Sequence, residues 1–132
     1  MDDLTVHVEA EINPTESEQK VKTAVENMFG PMKMQVKPLH KGGLLVAEAR
    51  GQEALTKLHS ILQRERIRTA ARTVFLEGLE RKSINFCLNK QVAFAGHVSF
   101  SKEVAESPLG PIRAKIECDN PRELINWLTA IT

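Results

Sequence analysis

Aromatic side chains are scarce in this chain, which carries five Phe, one Trp and no Tyr in 132 residues. A sheet that reads RNA by stacking bases needs rings on its outer face, whereas Phe86 and Phe100 share parity with buried positions. Cysteine is also rare. Cys87 alternates with Phe86 and Leu88 and should point outward, while Cys118 keeps the parity of Ile112, Ala114 and Ile116 and should point inward, so a disulfide between them is not expected. Neither thiol has a neighbour at metal-ligand spacing, and His7, His40, His59 and His97 are scattered without a His-Glu-x-x-His arrangement. No metal and no cofactor are expected. No apolar run approaches membrane-spanning length, and Met1-Asp2-Asp3 leads straight into an alternating segment with no basic-then-apolar leader, so a cytoplasmic location is expected. A strong charge of one sign is missing too: 18 basic residues against 17 acidic give a net charge of +1. Any RNA site must therefore come from local clustering.

The chain is 42% hydrophobic and 27% charged, enough to bury one core without staples. One domain over 1–132 is expected, with two cooperating lobes of about 1–66 and 67–132 as the other arrangement. Leu4, Val6, Val8, Ala10 and Ile12 alternate with Thr5, His7, Glu9 and Glu11, the period of a strand with one buried face. Thr15 with Glu18 reads as a capping box for a helix bearing Val21, Ala24, Val25 and Met28, ended by Gly30-Pro31. Met32, Met34 and Val36 alternate next, and His40-Lys41-Gly42-Gly43 turns the chain into a second arm from Leu44 to Arg50. Gly51 opens a helix with Ala54, Leu55, Leu58, Ile61 and Leu62 at helical spacing.

Thr69 is placed to cap a further helix with Ala71, Val74, Phe75 and Leu79, in which Gly78 implies close packing or early termination. Strands follow at Ile84 to Leu88, His97 to Ser101 and Ile112 to Cys118. Asn120-Pro121 with Glu123 starts a last helix docked by Leu124, Ile125, Leu128 and Ile131, with Trp127 beside that stripe. The fold class is α/β (α+β), a largely antiparallel sheet with helices packed on one face in a split βαβ-like arrangement. No internal repeat or low-complexity segment stands out.

Candidate chemistry is thin. Cys87, Ser99 and Ser101 are the available nucleophiles, and His97 shares a strand face with Ser99, a pairing that solvated sheet faces produce constantly. No catalytic constellation results, so an enzyme is not expected. Gly42-Gly43 sits between strands and not before a helix, which excludes Walker and dinucleotide loops. Charge is uneven, however. Up to His40 seven acids face four bases, whereas Ile61 to Lys82 holds six bases and three acids. Arg64, Arg68 and Arg72 recur every four residues with Arg66 nearby, and a continuous helix would line three guanidinium groups along one face to follow a phosphate backbone. Ile67 and Thr69 instead imply a break, with the arginines serving as solvated helix ends. The loop Ser107-Pro108-Leu109-Gly110-Pro111-Ile112 is rigid by composition, and either braces two strands or offers the amides of Leu109 and Gly110 as a small anion nest.

Thr69-Ala70-Ala71-Arg72, Leu88-Asn89-Lys90-Gln91, Ser107 to Ile112 and Trp127-Leu128 together resemble, in order and spacing along essentially the whole chain, an archaeal family of uncharacterised proteins often labelled RNA-binding. Val92 stands where members carry a small residue, a departure that leaves the fold expectation intact. The resemblance implies a fold similar to the ribosomal protein that holds the small RNA of the large subunit, a homodimer, and no catalytic residue or cofactor. Two functions follow as expectations. One is an RNA-associated module with phosphate contacts from Arg64, Arg66, Arg68 and Arg72 and polar contacts from Asn89, Lys90 and Gln91. The other is a homodimeric interaction or scaffold protein using Ser107, Pro108, Leu109, Gly110 and Pro111 at an interface.

Overall fold

The computed structural model describes residues 3–101 and 110–130. Strand β1 (Thr5–Ile12) lies in the middle of the sheet, with Val6, Val8, Ala10 and Ile12 buried on one side as its alternation requires. Helix α1 (Glu18–Phe29) follows and buries Val21, Ala24, Val25, Met28 and Phe29. Strands β2 (Lys33–Pro38) and β3 (Gly43–Arg50) form a hairpin, and a 3-10 turn at Gln52–Leu55 leads into α2 (Thr56–Arg64). Helix α3 (Arg68–Glu77), strand β4 (Ser83–Asn89), the short α4 (Lys90–Phe94), β5 (Phe100–Ser101), β6 (Pro111–Glu117) and α5 (Pro121–Leu128) complete the described chain.

The six strands lie in the order β2-β3-β1-β6-β4-β5 and every pairing is antiparallel. Because β1 and β2 both run against β3, they are parallel to each other with β3 inserted between them, which is the split βαβ arrangement. The second half repeats the element order, β4-α4-β5-β6-α5, but there β4 sits between β5 and β6. The halves are therefore not copies. Pairing of β1 with β6, from Thr5 opposite Glu117 to Ala10 opposite Ile112, joins them in one sheet.

The inward residues of β1, β3, β4 and β6 pack with α1, α2, α3 and α5 into one apolar cluster. Phe75 meets Phe86 and Phe100 edge to face at 5.0 and 5.6 Å, contacts that contribute about 0.5–1.5 kcal/mol each beyond burial. On the other face, Thr5, His7, Glu9 and Glu11 of β1, Arg113, Lys115 and Glu117 of β6, and Asn85 and Cys87 of β4 are exposed or half-buried. No disulfide links Cys87 and Cys118, and the latter is buried. The α5 start is as the sequence implies: Asn120 Oδ1 accepts from Glu123 N at 3.1 Å, with Pro121 in the first turn. Trp127 lies half-buried and stacks on His59, with ring centroids 4.4 Å apart.

Three local expectations are corrected. Ser17, not Thr15, caps α1 and accepts from Lys20 N at 3.4 Å. Residues 13–16 are used up in a turn, in which Glu16 N donates to Asn13 O and Glu16 Oε1 accepts from both Asn13 nitrogens. Ile67, not Thr69, occupies the cap position of α3, because Arg66 adopts a left-handed φ of 56° and reverses the chain just before it. The strand expected from His97 is reduced to Phe100–Ser101, since His97 and the Val98 amide are drawn to Glu65. Gly78 does both things expected of it. It ends α3, and a Cβ there would lie 1.7 Å from Asn85 O. Ile131 falls outside the described residues.

Candidate nucleic-acid interface

The arginine run is divided. Helix α2 ends at Arg64 and α3 begins at Arg68, so the four-residue spacing never lies on one continuous helix. Arg64 Nη2 donates to Gly96 O at 3.3 Å and lies 3.5 Å from Glu65 Oε2. Arg68 Nη1 donates to Gln63 Oε1 and Ala130 O, and Arg72 Nη1 to Asn126 Oδ1 and Thr129 Oγ1. Two of these guanidinium groups thus brace the C-terminal end of α5, where a helix favours positive charge. Arg66 is exposed and makes no hydrogen bond or ion pair with another described residue.

Asn89, Lys90 and Gln91 span the junction of β4 and α4. Asn89 Oδ1 accepts from Val92 N at 3.0 Å and caps α4. The Lys90 side chain is only 4% exposed, and its Nζ donates to Glu11 O at 2.6 Å and to Glu16 Oε1 at 3.0 Å. Burial alone would raise the Glu16 carboxyl, but hydrogen bonds from Asn13 and Lys90 outweigh it and hold the group below the ordinary carboxylate range. This ammonium is a strut between β4, β1 and the turn before α1, and it is not presented to a ligand. Gln91 lies at the surface.

Cations free of such duties are on the β2–β3 hairpin. From Asn27 to Ala47 the sequence holds no acid, yet it carries Lys33, Lys37, His40 and Lys41. All four are exposed, and none makes an ion pair or side-chain hydrogen bond with another described residue. Lys33 and Lys37 project from the open face of edge strand β2, about 13 Å apart along it. Gly42, at φ 79°, fits the turn against the end of β1, where a Cβ would lie 2.0 Å from Ile12 O. A charge count over the N-terminal forty residues hides this stretch, because the seven acids in that span all precede Asn27. An unbroken acid-free window was the signal that marks it.

The rest of the open face has no consistent field. A cleft of about 700 Å3 brings together His7, Arg113 and Lys115 with Glu9, Glu77 and Glu80. Cys87 and Ser101 also line it. His97 Nδ1 is 2.6 Å from Glu65 Oε2 and faces that carboxylate instead of either serine. Burial opposes ionisation of Glu65, but the His97 hydrogen bond, the Val98 amide and Arg64 together hold its carboxyl below the ordinary value. Burial pushes the Cys118 thiol up. Ser107, Pro108 and Leu109 lie outside the described residues, whereas Gly110, at φ 79°, leads into a buried Pro111 that opens β6. Among the described residues no group of His, Cys, Asp or Glu is placed to hold a metal ion, and no helix is long and apolar enough to cross a membrane.

A family model described as RNA binding matches residues 5–118, a span that contains all six strands. A UPF0201 protein of Pyrobaculum arsenaticum is 41% identical over 130 residues, covering 98% of this chain and 91% of its own. The chain belongs to the UPF0201 family. Another UPF0201 protein, from Saccharolobus solfataricus, is 40% identical over 129 residues, covering 98% of this chain and 89% of its own. The crystal structure of a UPF0201 protein from Methanococcus jannaschii matches with a TM-score of 0.85 at 29% identity, over 95% of this chain and 98% of that one. A DUF54 protein from Methanothermobacter thermautotrophicus shares the fold alone, at a TM-score of 0.67 and 18% identity over 97% of this chain and 99% of that one.

Proposed function

We propose that this UPF0201 protein is a non-catalytic, cytoplasmic RNA-associated module that holds the phosphate backbone on its β2–β3 hairpin. The observation that carries this reading is the set Lys33, Lys37, His40 and Lys41, exposed in an acid-free stretch and unpaired with other described residues. The family description of RNA binding agrees with it. Contact falls on phosphates and not bases there, because among the described residues the open sheet face presents no Phe or Trp ring. The interaction is therefore steeply dependent on salt. Three lysine contacts correspond to a slope of about −2 in log K against log salt, or roughly a 20-fold loss from 0.05 to 0.2 M. Anisotropy of labelled RNA titrated with the protein across that range tests it. Lys33→Gln, Lys37→Gln and Lys41→Gln combined should remove the slope, while Arg66→Gln should leave most of it. Unchanged affinity in the triple variant rejects this site.

A second reading, a homodimeric interaction or scaffold protein, is favoured by one feature. Strand β2 is a sheet edge, and Met32, Met34 and Val36 beside it are only partly buried. Sedimentation decides it: Met34→Asp should lower the mass of an assembly formed through that edge, and an unchanged mass removes β2 from any interface.

A further inference from the structure

We infer that the surface pocket beside Phe94 receives one unstacked base of a single-stranded RNA, whose neighbouring phosphates lie on the hairpin turn. This rests on the RNA-associated reading and narrows its ligand from RNA in general to single strands. Phe94 is 44% exposed, and among the described residues the other exposed large hydrophobic side chains are both leucines, Leu39 and Leu76. Its position is rigid. Asn27 Nδ2 donates to both Ala93 O and Phe94 O at 3.1 Å, while Asn89 caps the other end of α4, so the backbone that carries the half-exposed ring is braced at both ends. Exposing a large apolar ring on a fixed element has a cost that a stacking partner offsets.

The pocket next to it has a volume of about 370 Å3, at the lower end of small-ligand sites and suited to a single nucleoside. Thr15, Ser17, Lys20 and Gln91 give it a polar rim, and the Glu16–Lys90 pair forms its floor. Lys20 Nζ lies over the Phe94 ring, 5.6 Å from its centroid, so a base that stacks on this face takes the place of the ammonium, whose flexible stem lets it swing out to the phosphate of the same nucleotide. The site adjoins the basic hairpin, because Gly42 packs on Ile12 and Asn13, just before the turn that brings Thr15 to the pocket. A base paired in a duplex cannot reach Phe94, whereas any splayed base presents a π-face to it. The predicted ligand is therefore a flexible strand bound with little sequence preference.

The test compares a fluorescein-labelled 12-nucleotide oligouridylate with a 12-base-pair RNA duplex at 0.05 M salt, for the full chain and its Phe94→Ala and Phe94→Trp variants. The oligouridylate should bind more tightly than the duplex to the full chain. Phe94→Ala should weaken it by roughly 5- to 150-fold, leave duplex binding and the salt slope unchanged, and melt as the parent does. Phe94→Trp should retain affinity and show indole quenching as the strand binds. Equal affinity for strand and duplex, or a Phe94→Ala loss shared by both, overturns the base pocket while leaving the hairpin reading standing. Binding of neither RNA overturns the hairpin reading as well.

Discussion

Replacing Lys90 by Met isolates the contribution of a buried charge. The thioether keeps most of the apolar stem in place, so packing changes little, but the ammonium that reaches Glu11 O and Glu16 Oε1 disappears. A carboxylate only 11% exposed then loses its cation, and a carbonyl loses its donor. Breaking one side of such a pair costs about 3–5 kcal/mol, which for a chain of this size corresponds to a drop in Tm of roughly 10–20 °C. Glu16 keeps its two bonds from Asn13, which places the expected cost at the lower end, about 3 kcal/mol. Urea unfolding of the parent, Lys90→Met, Glu16→Gln and the double variant gives the coupling directly. The double variant should recover at least about 1 kcal/mol relative to the sum of the singles. A cost below about 1 kcal/mol for Lys90→Met, or strict additivity in the cycle, refutes the assignment of Lys90 as a charged strut. The same pair predicts acid sensitivity. With the folded Glu16 carboxyl depressed, its stabilisation is present above the unfolded value and is lost as pH falls through the folded one.

Gly78→Ala should cost more than about 2 kcal/mol in chemical unfolding, because the new methyl meets the Asn85 backbone at 1.7 Å; a parent-like midpoint would mean that the α3–β4 corner relaxes freely. Glu65 is also depressed, so the clamp from the end of α2 to Val98 is intact above the unfolded carboxylate value and opens as pH falls through the folded one. The protection factor of the Val98 amide, its exchange relative to the intrinsic rate at each pH, should fall in that acid range in the parent and be low at all pH in Glu65→Ala, and equal protection in both would refute the clamp. Arg68→Ala should lower stability by about 1–2 kcal/mol through loss of its bonds to Gln63 and Ala130, whereas exposed Arg66→Ala should change it by less than about 0.5 kcal/mol. Equal effects would show that Arg68 is not a brace.

The elements were largely legible in the sequence by itself, because their signals are local. The period-two run of β1, the apolar stripes of α1 and α2, the Asn120-Pro121-x-Glu123 start of α5 and the opposite parities of Cys87 and Cys118 all follow from side-chain geometry within a few residues. Helix starts were less legible: Ser17 replaced Thr15 because the Asn13–Glu16 turn used the intervening residues, and an arginine with positive φ set the start of α3. Tertiary structure alone decided what the charged residues do. Lys90 reads as one more loop lysine until β1 brings Glu11 beside it, and Arg68 and Arg72 read as a phosphate stripe until α5 places its C-terminal end against them. Conversely, Lys33, Lys37 and Lys41 became a candidate site only once β2 proved to be an edge strand on which none of them is ion-paired, since Glu48, opposite Lys33 on β3, pairs with Arg50. A cation's role is set by which acceptors the fold delivers to it, and those acceptors lie tens of residues away, where neither local propensity nor spacing carries information.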